Sequence, residues 1–428
     1  MNRTVEPASS LNGTVHLPPD KSISHRSALF AAIAEGKSVI KNYSEAADPQ
    51  STLECLRQLG VSVKKDGNKV TIEGVGREGL QTPAAQLNCG NSGTTMRLLS
   101  GIVAGAGIEC ELVGDESLSS RTMKRIIDPL RAMGCTIDAR DGEYAPIKIG
   151  GHKGIKPMRY PLPIASAQLK SCVLLAGLFG DSPTEVIEQL PSRDHTERLL
   201  DLKSDSYGQG KVIRSSVADV IPSQNYSVPA DFSAAAFWLV GGAIHPAAEI
   251  QLKKVGINPS RKAALTILEK MGADLAVDNE SAEGKEPVAD LTISSSNLSA
   301  IDLDPALIPN CIDELPILMI AMAFADGIST ITGAEELRHK ETDRLEAMYD
   351  ILDAAGVNAE LAEDGITIHG DPNFTPQSAT FKSYHDHRMA MAAAILATRA
   401  DGDSTVKDAE CTEISYPDFW TDLESLSA

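Results

Sequence analysis

Six times along this chain a polar, cap-forming head is followed by a helix-length run of small apolar residues, often closed by glycine. The runs begin near Lys21 (KSISHRSALFAAIAEG), Asn91 (NSGTTMRLLSGIVAG), Ser166 (SAQLKSCVLLAGLFG), Asp231 (DFSAAAFWLVGGA), Asp313 (DELPILMIAMAFADG) and Asp386 (DHRMAMAAAILATRADG). Their heads are roughly 65 to 80 residues apart, which marks a repeat architecture. A helix that is apolar almost all round must be buried on every side, and Ala and Gly let such helices approach closely. Amphipathic helices follow at Ser51–Gly60, Thr122–Gly134 and Ser260–Gly272, with apolar residues at steps of three and four and a terminal glycine. Short alternating strands come next at Lys69–Glu73, Pro146–Ile149, Asp290–Ile293 and Gly365–His369. Each unit therefore reads β-α-β-α-β-β. The third is blurred between Asp201 and Gln224, and the sixth is cut short by the C-terminus.

Charge narrows the choice of partner. The formal charge of −20, from 39 basic and 59 acidic side chains, argues against a nucleic acid, since no Lys/Arg-rich run offers a basic face. An acidic chain can still bind a small anion if its cations gather at one place. With 428 residues, 42% apolar and 23% charged, the chain reads as two or three ordinary globular domains. No stretch approaches the roughly 20 apolar residues of a membrane span. Seven scattered cysteines without a C-x-x-C predict reduced thiols and no structural zinc. Met1–Leu11 has neither a basic nor an apolar leader segment, so a cytoplasmic location is expected.

A deeply buried helix start leaves backbone N–H groups unpaired, and Ser, Asn and Asp are the residues that cap them. Taken singly, each head is a cap. Taken together, converging helix N-termini form a positive, donor-rich place for anions. Lys21, Arg26, Arg97, Lys170 and Arg388 sit just inside heads, where a cation opposes the helix dipole and so points to a bound anion in compensation. Arg121, Arg193, Lys340 and Arg344 add cations from loops and second-helix starts.

The stretches KSISHR (from Lys21), NSGTTMR (Asn91), DELP (Asp313), KETDR (Lys340) and DHRMA (Asp386), in this order and spacing, resemble the 5-enolpyruvylshikimate-3-phosphate synthase family over essentially the whole chain. GNSGTTMRL and SRDHTE are similar to its bacterial class II branch. The resemblance implies an inside-out α/β barrel of two similar domains, each of three βαβαββ units. It implies a middle domain at residues 21–228, a discontinuous domain at residues 1–20 plus 229–428, and an active site in the cleft between them. It implies transfer of the enolpyruvyl group of phosphoenolpyruvate to the 5-hydroxyl of shikimate 3-phosphate, by addition and elimination through a non-covalent tetrahedral intermediate. No cofactor or metal is implied, and a monomer is expected.

The resemblance also implies roles. Lys21, Ser22, Arg26, Ser166, Gln168, Arg193, Asp313 and Lys340 would meet shikimate 3-phosphate. Lys21, Asn91, Gly93, Arg121, Gln168, Arg344, His387 and Arg388 would meet phosphoenolpyruvate, and glyphosate would compete there. Lys21, Asp313 and Glu341 would carry the protons, with Asp313 taking that of the 5-hydroxyl. Four positions depart from the class I pattern: Ala167 for the second serine of S-S-Q, Glu336 for an asparagine, Ile414 for a lysine, and Leu98 for a proline.

Other patterns resolve blandly. GVGREG at Gly74–Gly79 follows a strand but precedes no helix, and reads as a turn rather than a dinucleotide site. Gly36-Lys37-Ser38 lacks the earlier glycine of a phosphate loop. His385 and His387 flank Asp386 without a third metal ligand. Two rivals are weighed: the sister transferase acting on UDP-N-acetylglucosamine, and a non-catalytic phosphometabolite binder. The first typically carries a reactive cysteine in a loop that reads GDESLSSRTM here, while Cys110 and Cys135 fall in strand-like contexts. The second has no use for carboxylates among anion-binding groups.

Overall fold

The computed structural model describes residues 1–152, 154–208 and 210–427. The apolar runs become buried helices at Lys21–Ile33, Gly93–Gly105, Ala167–Gly177, Phe232–Ile244, Leu315–Ala323 and His387–Ala397. Every residue of Phe232–Ile244 and Leu315–Ala323 is buried, as their lack of a polar face requires. The chain divides into two compact units. One holds Met1–Pro18, Pro229–Ala282 and Pro287–Ala428; the other holds Pro19–Val228 with Glu283–Glu286. Each has its own apolar core, built around three of the buried helices.

Each repeat contributes one sheet, and the sheets share a plan. In the first, Glu35–Lys41 pairs in parallel with Asn225–Ser227 and antiparallel with Lys69–Val75, which in turn pairs with Ser62–Asp66. The second sheet repeats this with Cys110–Val113 between Leu87–Asn88 and Tyr144–Ile149. The plan closes on itself in both units, because the outer parallel strand comes from a distant part of the chain. Asn225–Ser227 completes the first sheet, and Leu11–Val15 pairs in parallel with Ala248–Gly256 in the fourth.

Glycine placement shows the repeat at atomic scale. A Cβ on Gly74 would stand 2.2 Å from the Ala31 carbonyl oxygen, and one on Gly370 would stand 2.3 Å from that of Ala325. In both repeats the returning strand crosses the end of the buried helix where only glycine fits. Gly101 likewise lets the second buried helix approach the third, since a Cβ there would meet the Cys172 carbonyl oxygen at 2.4 Å.

Several expectations need correction. In the blurred stretch after Asp201, strand Ser204–Tyr207 pairs antiparallel with Gly210–Ser215; the exposed residues of the first strand hid the alternation. The fifth repeat's first strand is reduced to isolated bridges, Ser299 to Asp326 and Asp302 to Thr330. The sixth is completed from the other end of the chain, where Arg3–Val5 pairs antiparallel with Ser404–Lys407. Cys110 opens a strand, but Cys135 lies ahead of strand Ile137–Arg140 and outside it. GVGREG is a strand end running into a turn. All seven cysteines are buried free thiols, and no single described helix is long and apolar enough to cross a membrane.

Candidate active site

The caps sit one residue from where the heads were read in the first two repeats. Asp20 caps the first buried helix through Ile23 N (2.8 Å), and Ser92 caps the second through Thr95 N (3.0 Å). Ser166, Asp231 and Asp386 cap as expected, on Leu169 N, Ser233 N and Arg388 N. The fifth head differs. Its helix starts at Leu315 with no side-chain cap, and Asp313 turns its carboxylate to cations instead.

In the Pro19–Val228 unit the three heads are laced into a ring. Thr52 Oγ1 bonds Thr95 Oγ1 (2.8 Å) and His25 Nδ1 (2.7 Å), tying the first head to the second. Arg97 donates to Gln168 Oε1 (2.6 Å), and Gln168 Nε2 donates to Thr94 Oγ1 (3.0 Å), tying the second to the third. Arg26 closes the ring by donating to Ser171 Oγ (3.0 Å), Thr196 Oγ1 (2.8 Å) and the Ser22 carbonyl (3.1 Å). Around it, Lys21 Nζ donates to Asp48 Oδ2 (2.9 Å), and Arg121 donates to Asn91 Oδ1 (2.6 Å) and Ser117 Oγ (2.9 Å). Hydroxyl and amide oxygens do most of this joining, and a neutral acceptor orients a guanidinium without cancelling its charge. Burial lowers the Arg26 pKa to about 10, which leaves it a cation at neutral pH. Gly93 has a side-chain reason: a Cβ there would stand 2.9 Å from Arg97 Nη1. Arg193 lies half-buried in the loop that Ser192 fixes to Glu188 (2.8 Å).

Lys170, read as an anion-binding candidate, is a structural cation. It is fully buried and donates to Glu188 (2.9 Å), Glu197 (2.8 Å) and the Ser192 carbonyl. Two internal carboxylates compensate its charge.

The other unit also laces its three heads, but with charge. Arg344 is almost completely buried and donates to Asp386 (Nε to Oδ2, 2.8 Å), Glu341 (Nη2 to Oε2, 2.6 Å) and Asp313 (Nη1 to Oδ1, 3.4 Å). Burial works against its charge, but Asp386, Glu341 and Asp313 outweigh it and hold its pKa above the ordinary arginine value. Arg388 donates to the Asp313 carbonyl (2.7 Å) and Ser233 Oγ (3.1 Å), and stands 3.9 Å from Asp313 Oδ2. Lys340 Nζ is 3.8 Å from the Asp313 carboxylate; desolvation lowers its pKa, against the pull of Asp313 and Glu336. Asp313 thus sits among Lys340, Arg344 and Arg388, and Arg344 bridges it to Glu341. His387 is buried beside Asp386, its Nδ1 4.0 Å from Oδ1. Two consecutive left-handed residues, Tyr384 (φ 55°) and His385 (φ 56°), set the turn into this head.

Of the class departures, Glu336 lies on a short 3-10 turn facing Lys340, and Ile414 packs on the apolar core, supplying no cation. Leu98 is buried, and Ala167 is the first residue of its helix. Sequence reasoning missed Asp48, Thr52, Thr95, Ser171 and Thr196, and, in the other unit, Arg261, Ser233 and Glu314. Thr95, Ser171, Ser233 and Glu314 lie within heads as hydroxyls or a carboxylate, whereas Asp48, Thr52, Thr196 and Arg261 lie far from any head and carry no such signal.

A family model described as EPSP synthase (3-phosphoshikimate 1-carboxyvinyltransferase) matches residues 5–423. A 3-phosphoshikimate 1-carboxyvinyltransferase of Salinibacter ruber is 50% identical over 431 positions spanning all of both chains. That of Hydrogenovibrio crunogenus is 44% identical over 97% of this chain and 95% of its own. A solved EPSP synthase from Acinetobacter baumannii superposes with a TM-score of 0.87 at 40% identity, covering 99% of this chain and 98% of that one. The enolpyruvyl transferase NikO from Streptomyces tendae, at 16% identity, shares the inside-out barrel fold with a TM-score of 0.75 over 99% of this chain and 97% of that one.

Proposed function

The chain belongs to the EPSP synthase family, and on that premise we propose how its two rings of helix heads divide the reaction. It transfers the enolpyruvyl group of phosphoenolpyruvate to the 5-hydroxyl of shikimate 3-phosphate and releases phosphate, a step of aromatic amino-acid biosynthesis. In the addition, the methylene carbon gains a proton while the 5-oxygen bonds to the neighbouring carbon and gives up its own. In the elimination, the new methyl group loses a proton and phosphate departs from that carbon, restoring the double bond. Each half needs one acid and one base close together.

The hydroxyl-and-amide ring is read as the anion dock. Lys21, Ser22, Arg26, Ser166, Gln168 and Arg193 take shikimate 3-phosphate there. Asn91, Gly93 and Arg121 shape the phosphoenolpyruvate end, with Lys21 and Gln168 shared. The charged ring supplies the proton carriers: Asp313 accepts from the 5-hydroxyl, and Glu341 serves the methylene carbon with Lys21. Lys340 orients the shikimate hydroxyls, while Arg344, His387 and Arg388 hold phosphoenolpyruvate. All these residues come from one chain, which acts as a cytoplasmic monomer without nucleic-acid or membrane partners.

One observation carries this reading. Asp313 is the head carboxylate excused from capping, and it stands between Lys340 and an Arg344 shared with Glu341. A protein that only binds anions gains nothing from two carboxylates there. The rival transferase is not favoured, as the Gly114–Met123 loop holds no cysteine and its Ser117 is engaged by Arg121. The test is phosphate release on mixing the protein with shikimate 3-phosphate and phosphoenolpyruvate. Release that requires both substrates is expected; binding of both without release sinks the assignment.

A further inference from the structure

Behind Arg388 lies an ion pair that no head motif announces. Arg261, in the turn before helix Ala263–Lys270, is 4% exposed and donates to Glu314 Oε2 (3.1 Å) and to Ser233 Oγ. Glu314 is 1% exposed, and its Oε1 accepts from Ser233 Oγ. Ser233 Oγ also accepts from Arg388 Nη2 (3.1 Å). One hydroxyl therefore spends its single O–H on Glu314 and its two lone pairs on two guanidinium groups, which fixes the geometry of all three. Glu314 Oε1 lies 3.8 Å from Arg388 Nη1, whose donated bond goes instead to the Asp313 carbonyl at 2.7 Å.

We propose that Arg261 is a positioning residue for the transfer: by neutralising Glu314 it keeps Arg388 on Ser233 and the Asp313 carbonyl, with its charge left for phosphoenolpyruvate. The inference rests on the reading that Arg388 meets that substrate. A buried carboxylate that loses its nearer cation draws harder on the one that remains. With Arg261 gone, Arg388 is that cation, and drawing it toward Glu314 pulls it off its present partners.

The experiment is a charge-rescue series in the full-length enzyme, with steady-state kinetics in both substrates. Arg261→Met is expected to raise the KM for phosphoenolpyruvate by about 10- to 100-fold, the range a small misplacement of a binding group produces, with a smaller change in kcat. Arg261→Met/Glu314→Gln, which removes both charges, is expected to recover most of that loss. An unchanged KM in the single variant, or a double variant as impaired as the single, overturns the proposal. Should the single variant not fold, the double carries the test alone, and a KM still raised tenfold or more overturns it. Arg388→Lys, measured in parallel, separates the two readings: an unchanged phosphoenolpyruvate KM there refutes the substrate role of Arg388 rather than the Arg261–Glu314 device.

Discussion

The two units solve one packing problem with opposite chemistry. Each brings three buried helix starts together and must tie them. The Pro19–Val228 unit uses Thr52–Thr95, Arg97–Gln168 and Arg26–Ser171, where a neutral oxygen meets a hydroxyl, an amide or a guanidinium. The other unit uses Arg344 with the Asp386, Glu341 and Asp313 carboxylates, while its Arg388, like Arg26, donates to neutral oxygens, the Asp313 carbonyl and Ser233 Oγ. A guanidinium held by neutral oxygens keeps its field for a phosphate. One held by carboxylates gives up much of that field to them. The difference teaches that a duplicated scaffold can tie its helix starts mainly with neutral hydrogen bonds in one copy and with a buried arginine among carboxylates in the other.

The largest expected effect is on turnover. Lys21 belongs to the docking ring, yet the account also gives it a proton-transfer role, so Lys21→Ala is expected to slow phosphate release by roughly 10²- to 10⁴-fold. Its side chain is 21% exposed, so the fold should survive by circular dichroism. Near wild-type rates would break the assignment.

Next comes stability of the charged ring. Arg344→Met leaves Asp386, which is completely buried, without its main cation. A loss of about 3–5 kcal/mol in urea denaturation is expected, and under about 1 kcal/mol would show that the carboxylates do not depend on Arg344.

Acid should weaken both units from the same side, a point on which they do not differ. Burial, then Lys21 and Arg26, lowers the His25 pKa well below its ordinary value, and burial with Arg399 lowers that of His245 to about 3. A histidine kept neutral in the fold contributes stability that is complete above about pH 6.5, the unfolded value, and that drains as pH falls toward the folded pKa. Each should cost about 1.4 kcal/mol per pH unit below that point. Unfolding free energies at pH 7.5 and 5.5 for wild type, His25→Asn and His245→Asn check this, and slopes unchanged by both substitutions would contradict it.

Gly93→Ala sharpens the docking side. The new methyl crowds Arg97 and moves it from Gln168, so the KM for phosphoenolpyruvate should rise about tenfold, with glyphosate competition weakened alongside. Unchanged inhibition would misplace Gly93. The smallest effect is in the hydroxyl ring. Thr52→Val should cost only about 1–2 kcal/mol, the scale of a buried neutral hydrogen bond, and a loss as large as that of Arg344→Met would erase the contrast between the rings.

How much of this was legible follows from what spacing encodes. All six buried helices could be read from their runs, because burial on every side leaves no polar face to disguise. Their heads showed too, since Asp, Ser and basic residues interrupt apolar runs abruptly. What joins one head to another was not legible: Thr52 and Thr95 are 43 residues apart, and Arg261 and Glu314 are 53. No local period records such pairs. Lys170 illustrates the cost, because its place inside a head matched Arg97 and Arg388, while its partners Glu188 and Glu197 lie on a strand and a helix further along. The strand at Ser204–Tyr207 stayed hidden because every one of its residues is exposed.

The division of labour itself is tested most directly by equilibrium binding of shikimate 3-phosphate alone, followed by calorimetry, to Arg26→Gln and Glu341→Gln proteins. The account predicts that Arg26→Gln weakens binding by about tenfold or more, the worth of one charge-assisted contact. Glu341→Gln should bind within about twofold of wild type while losing phosphate release. Equal loss of binding in both variants, or binding lost only with Glu341→Gln, would contradict it.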